Sequence, residues 1–139
     1  MKMFKILSLS ALLTFAAVST ASATSGSVSA FYNETPVKTV VIKHPMANDA
    51  AKFFSSSKIV NFEIYKPGSK EEFAKIIASL KKDAAVESVN EGTVNGDYHA
   101  VTIVLKSEKN KEWFAAEFKK AGLNTIKMNN NPIVEVEKL

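Results

Sequence analysis

The residues best suited to chemistry are His44 and Met46, which are separated by one residue. An imidazole and a thioether are reasonable ligands for Cu(I), so the pair predicts, as one alternative, a metal site. His99 and Met128 have the right side chains to join it, but nothing in the sequence brings them there. The competing interpretation is a turn at residues 44–46, with a half-buried methionine and with His99 as a satisfied edge histidine.

Other groupings of reactive side chains do not predict catalysis. The chain has no cysteine, which excludes thiolate nucleophiles and cysteine-ligated metals. The adjacent carboxylates of Glu71 and Glu72 are explained by capping at the start of a helix and by the helix dipole. Two histidines placed like these do not make a triad, and five scattered glycines do not make a phosphate-binding loop. We therefore predict a protein that is not an enzyme and uses no cofactor.

The charge pattern argues against nucleic acid as a partner. The formal net charge is +4 and every basic side chain is a lysine. Arginine is the favoured residue for bidentate recognition of bases and phosphates. We therefore expect the partner to be a protein or a small ligand.

The first residues have the pattern of a secretory signal peptide. Lys2 and Lys5 precede an apolar run at 6–18, and the sequence Ala21-Ser22-Ala23 resembles a cleavage site. The run is too short for a membrane span of about 20 residues, and no later segment is longer. We predict a cleaved leader at residues 1 to about 23, a periplasmic or secreted location in a bacterium, and no integral membrane segment after cleavage.

The remaining chain predicts one α+β domain. Residues 24–36 form a flexible lead-in rich in serine and threonine, and residues 37–139 form the domain. Alternating apolar residues predict strands, helical spacing after Ser69 and Ser107 predicts two helices with those serines as caps, and Asn95-Gly96-Asp97 predicts a hairpin turn. A weaker pattern predicts a short helix at 48–54, capped by Asn48. The predicted strands are 37–43, 59–65, 86–94, 98–105, 124–128 and 133–137.

From residue 59 the predicted order is β-α-β-β-α-β, the ferredoxin-like arrangement, with 59–128 as its core. Both helices then cover one face of an antiparallel sheet. We expect the extra strands at the two ends to lengthen the sheet or shield an edge. The uncovered face is predicted to carry Asn61, Glu63, Tyr65, Tyr98, Ala100, Thr102 and Val104.

Residues 59 to about 128 resemble the heavy-metal-associated domain family of copper chaperones and metal-transporter N-domains. The likeness rests on the first strand, on the helix with Phe73, Ile76 and Leu80, on the passage 81–89, and on 118–123 with its Ala-Gly ending. The family binds soft metals through C-x-x-C in its first loop. Those positions fall on Ser69 and Glu72 here, so the resemblance implies the fold and a degenerate copy that has lost the thiolate site.

Three functions remain open. The first is a non-catalytic domain that binds a partner or ligand through Glu63, Tyr65, Tyr98 and Thr102, with Trp113 as a further contact. A homodimer through the sheet face or edge belongs to this alternative. The second is metal handling by His44 and Met46. The third is a protease-inhibitor or propeptide-like module, by fold analogy.

Overall fold

A mixed six-stranded sheet covered on one face by three helices makes up the described part of the chain. The computed structural model describes residues 37–139, so the predicted leader and lead-in lie outside the described residues. The strands are β1 (Thr39–Ile42), β2 (Ile59–Tyr65), β3 (Val86–Asn95), β4 (Tyr98–Leu105), β5 (Thr125–Met128) and β6 (Val134–Glu135). The helices are α1 (Ala50–Ser55), α2 (Lys70–Leu80) and α3 (Lys111–Lys120), with 3-10 turns at Pro45–Asn48 and Val136–Lys138.

The start of α2 confirms the predicted capping box. The Ser69 hydroxyl accepts a hydrogen bond from the Glu72 amide at 3.2 Å, and the Glu72 carboxylate accepts one from the Ser69 amide at 2.8 Å. Glu72 also accepts a hydrogen bond from Lys38 at 3.1 Å. Ser69 and Glu72 therefore cap α2, and Glu72 binds its first turn to Lys38, the residue before β1.

Two predicted caps and one predicted strand were wrong in detail. The α1 helix is capped by Asp49 rather than Asn48, and α3 by Asn110 rather than Ser107. Serine, asparagine and aspartate all cap helices well. The residue that caps is the one whose side-chain oxygen lies beside the amide of the third helical residue, and this depends on where the helix begins. The last strand is only Val134–Glu135, because the chain turns into a 3-10 helix at Val136, which is buried.

The strand order is β3-β4-β2-β1-β5-β6. The element order from β2 to β5 is the predicted β-α-β-β-α-β, but β1 lies between β2 and β5, antiparallel to the first and parallel to the second. The sheet is therefore mixed rather than antiparallel as predicted, and the N-terminal strand lies inside it and shields no edge. All four residues of β1 are buried, which is typical of a strand covered on both sides by neighbours. The C-terminal strand β6 pairs with β5 and lengthens the sheet, as expected.

The core lies between the sheet and the helices. Phe54 of α1 is fully buried and its ring centroid is 4.4 Å from that of Phe114 in α3. Phe118 packs edge-on against Phe62 of β2 at 5.3 Å. Residues 45–55 are therefore part of the domain core rather than a wrapping around it. None of the helices between Val37 and Leu139 is both long and apolar enough to cross a membrane.

Candidate functional site

The face of the sheet opposite the helices carries most of the predicted interaction residues. Side chains alternate along β2 and β4, with the apolar set buried under the helices. Glu63, Tyr65, Tyr98 and Thr102 lie on the uncovered side, which we call the open face. Trp113 does not join them: it lies on α3 among the helices and packs edge-on against Phe114 at 5.0 Å.

Direct strand pairing holds the open-face side chains together. Tyr65 and Tyr98 are register partners, and their ring centroids are 4.9 Å apart. Asn61 accepts a hydrogen bond of 2.6 Å from the hydroxyl of its partner Thr102. The face is therefore ordered by its own cross-strand contacts.

Lys43 crosses this face beside β2. Its Nζ donates to a Glu63 carboxylate oxygen at 2.8 Å and lies 5.2 Å from the centroid of the Tyr98 ring. The hydrogen bond to Glu63 raises the pKa of Lys43 above its ordinary value. Lys43 therefore carries its charge at any physiological pH and holds it over an aromatic ring.

A depression of about 600 Å³ opens beside Lys43. A second of about 250 Å³ shares Val41 and Lys43 with it and extends along the face to Thr102. We call the larger one the open-face depression. It is lined by Val41, Lys43, His44, Pro45, Asn48, Tyr98, Lys127, Asn129 and Asn130.

Asn129 organises the rim of the depression. Its side-chain oxygen accepts from the His44 amide at 2.9 Å, and its side-chain nitrogen donates to the His44 carbonyl at 2.8 Å and to the Asn48 side-chain oxygen at 2.9 Å. Its own amide donates to the Ile42 carbonyl at 2.7 Å. We call these contacts the Asn129 clamp. The one sequence signal for the clamp was an asparagine, a residue type that tolerates the left-handed φ of 53° found here.

The hydrogen bonding of His44 bears on the metal site predicted at His44 and Met46. His44 Nδ1 accepts a hydrogen bond from the Met46 amide at 3.1 Å, so in the neutral ring the proton sits on Nε2. A metal at Nε2 would require that proton to move to Nδ1, which would break this hydrogen bond. Met46 is 39% exposed. Between residues 37 and 139 no group of three or more histidine, cysteine, aspartate or glutamate side chains could hold a metal ion.

His99 and Met128 lie far from one another. His99 pairs with Ile64, which pairs with Val40, which pairs with Ile126 of the strand that carries Met128. Three strand spacings of about 4.8 Å place them too far apart for one ligand set.

His99 faces the helices, as expected, and packs against Phe73 at 4.7 Å. However, its Nδ1 is buried and has no hydrogen-bond partner among the described residues. The prediction that this histidine is satisfied was therefore wrong, because the ring meets a phenylalanine instead of a polar group.

The open face thus combines charge, aromatic surface and fixed polar groups. It has two lysines, a clamped histidine and a tyrosine around one depression, and none of the described lining residues is a carboxylate. Such a set can bind and orient a ligand. No protein-family model matches the chain, and no curated protein or solved structure matches it significantly.

Proposed function

We propose that this chain is an exported, non-catalytic binding domain that takes its ligand on the open face of the sheet. The observation that supports the proposal best is the open-face depression beside Lys43 and Tyr98. Its volume of about 600 Å³ is within the range of about 300–1,000 Å³ typical of small-molecule sites.

The construction of the rim supports a binding role. The Asn129 clamp fixes His44 and Asn48 by backbone and side-chain hydrogen bonds. A site whose lining is already held in place loses little side-chain entropy when a ligand arrives. The aromatic pair of Tyr65 and Tyr98 adds rigid apolar surface next to the charged groups.

Export and ancestry are further parts of the proposal. The leader pattern at residues 1 to about 23 favours the periplasm or the medium. The β-α-β-β-α-β order from β2 to β5 favours a ferredoxin-like core related to heavy-metal-associated domains. In such a relative the thiolate positions have become the cap made by Ser69 and Glu72, and β1 has been inserted beside β2.

A ligand screen by NMR tests the proposed site. The ¹⁵N-labelled chain is mixed with a small-molecule library, and amide shift changes are mapped on the sequence. We expect them at 41–48, 98–102 and 127–130, with the helices at 70–80 and 111–120 unchanged.

A matched pair of tyrosine variants provides the control. Tyr98 lines the depression and Tyr65, its neighbour on the same face, does not. Tyr98→Ala should weaken binding and Tyr65→Ala should weaken it much less. Binders that map to the helices, or a library with no binder on the open face, would refute the proposed function.

A further inference from the structure

We infer that the open-face depression binds an oxyanion, namely a phosphate group carried by a small organic molecule. The inference rests on the proposed function, because it assigns the ligand class of the same surface. It follows from which polar atoms of the lining are already used and which remain free to meet a ligand.

Internal hydrogen bonds use three acceptors of the rim. His44 Nδ1 accepts from Met46, the Asn48 side-chain oxygen accepts from Asn129, and the Asn129 side-chain oxygen accepts from the His44 amide. The polar groups that His44 and Asn48 have left for a ligand are the Nε2–H and the side-chain NH₂, both of which are donors. The Tyr98 hydroxyl and the Asn130 carboxamide, also in the lining, can donate or accept. A ligand that satisfies donors must bring acceptors.

The lysines of the lining add positive charge. Lys127 is half-buried on β5 and pairs with no carboxylate among the described residues. Its register partner is Val41 of β1, two residues before Lys43. Lys43 donates one N–H to Glu63 and has two further N–H groups that can donate to a ligand. Two ammonium groups, one of them hydrogen-bonded to Glu63, and the neutral donors of a depression with no carboxylate in its lining favour an anion.

The kind of donor favours phosphate over carboxylate. Arginine, whose fork binds both carboxylates and phosphates bidentately, is absent from the chain, so an anion must be bound by lysines and neutral donors. Ammonium groups act as point charges and suit the several oxygens of a tetrahedral phosphate.

The space favours an organic phosphate. Since one water molecule takes about 30 Å³ in the liquid, the volume of about 600 Å³ leaves room for more than the phosphate itself. The Tyr98 ring and Val41 can contact the organic part.

Titration of the full chain at low ionic strength tests the inference. The probes are glucose 6-phosphate, inorganic phosphate, succinate and glucose, followed by calorimetry and by amide shifts at 41–48 and 127–130. We expect the affinity to fall in the order given, with no saturable shift for glucose.

Two variants and one control locate the site. Lys127→Gln should weaken glucose 6-phosphate binding about tenfold or more, as expected for a lost charge-assisted hydrogen bond. Asn48→Asp, which replaces a donor with a negative charge, should weaken it as well. Lys82→Gln makes the same charge change at an exposed lysine after α2 and should leave the affinity unchanged. Dispersed amide spectra of the variants verify folding.

Each contrary result has a distinct meaning. Equal losses in Lys127→Gln and Lys82→Gln would overturn the inference in favour of diffuse charge attraction. Succinate binding more tightly than glucose 6-phosphate would overturn the choice of phosphate. Saturable shifts at the depression with glucose but not with phosphate would overturn the oxyanion and leave the proposed function standing. No shift there with any probe would also overturn the oxyanion, and the library screen would then decide the proposed function alone.

Discussion

The Asn129 clamp makes a separable contribution to stability, and two substitutions at this position measure it. Asn129→Ala removes the three side-chain hydrogen bonds and leaves an alanine at a φ of 53°. Asn129→Gly removes the same hydrogen bonds but leaves a residue that adopts this φ freely. The difference between the two variants isolates the backbone cost, and the glycine variant reports mainly on the hydrogen bonds.

The expected magnitudes follow from the geometry. A typical hydrogen bond contributes about 0.5–1.5 kcal/mol net, and water can replace these partly, so we expect a loss of about 2 kcal/mol for Asn129→Gly. A left-handed φ costs an ordinary L-residue about 1–2 kcal/mol. Asn129→Ala should therefore lose about 3 kcal/mol, or about 1 kcal/mol more than the glycine variant.

Urea denaturation of the wild type and both variants measures these losses, provided that the slope with urea stays the same. Lys66→Gly is a control for the backbone contribution alone, because Lys66 also has a positive φ, of 49°. That variant should gain stability. Equal losses for the alanine and glycine variants would refute the backbone reasoning, and losses below about 0.5 kcal/mol in both would refute the clamp.

Three further predictions concern the fold and its response to pH. Phe54→Ala should lower the free energy of unfolding by about 3–5 kcal/mol in urea denaturation, because this ring is fully buried. A loss below about 1 kcal/mol would show that α1 does not belong to the core. His99→Phe should raise the free energy of unfolding by about 1 kcal/mol, because it removes the buried Nδ1 that has no hydrogen-bond partner. A destabilised variant would mean that this nitrogen has a partner in solution. The hydrogen bond from the Ser69 amide, followed by that from Lys38, lowers the pKa of Glu72 below its ordinary 4.5. The contribution of the Glu72 carboxylate to folding stability is therefore present above pH 4.5 and is lost as the pH falls through the lowered pKa. Glu72→Gln should therefore lose less stability than the wild type between about pH 5 and pH 3 in thermal melts, and identical pH profiles would refute this assignment.

Local patterns in the sequence were sufficient for several elements. The alternation along β2, the capping box at Ser69 and the Gly96 turn each depend on residues a few positions apart. The φ of 59° at Gly96 and the two-residue connection from Asn95 to Tyr98 are what the hairpin prediction required. Such features can be predicted from the sequence because the residues that determine them lie within or next to the element itself.

The placement of β1 and the composition of the open-face depression could not be predicted in this way. The pairing of β1 with β5 depends on contacts between residues such as Thr39 and Thr125, which are 86 positions apart. A four-residue apolar strand fits an edge or the interior equally well by its own pattern. The depression depends on the same pairing of β1 with β5, because this pairing places Asn129 next to His44 and Lys127 beside Val41.

The position of β1 also sets the order in which the molecule can fold. The first described strand completes the sheet only when β5 has arrived to pair with it, so a nascent chain that ends before residue 125 has an unpaired edge on β1. Contacts over such separations slow folding, because a long loop must close before they form. The sheet should therefore close only after residues 125–128 have been synthesised. The unfolded chain should persist for long enough to meet whatever machinery handles nascent proteins.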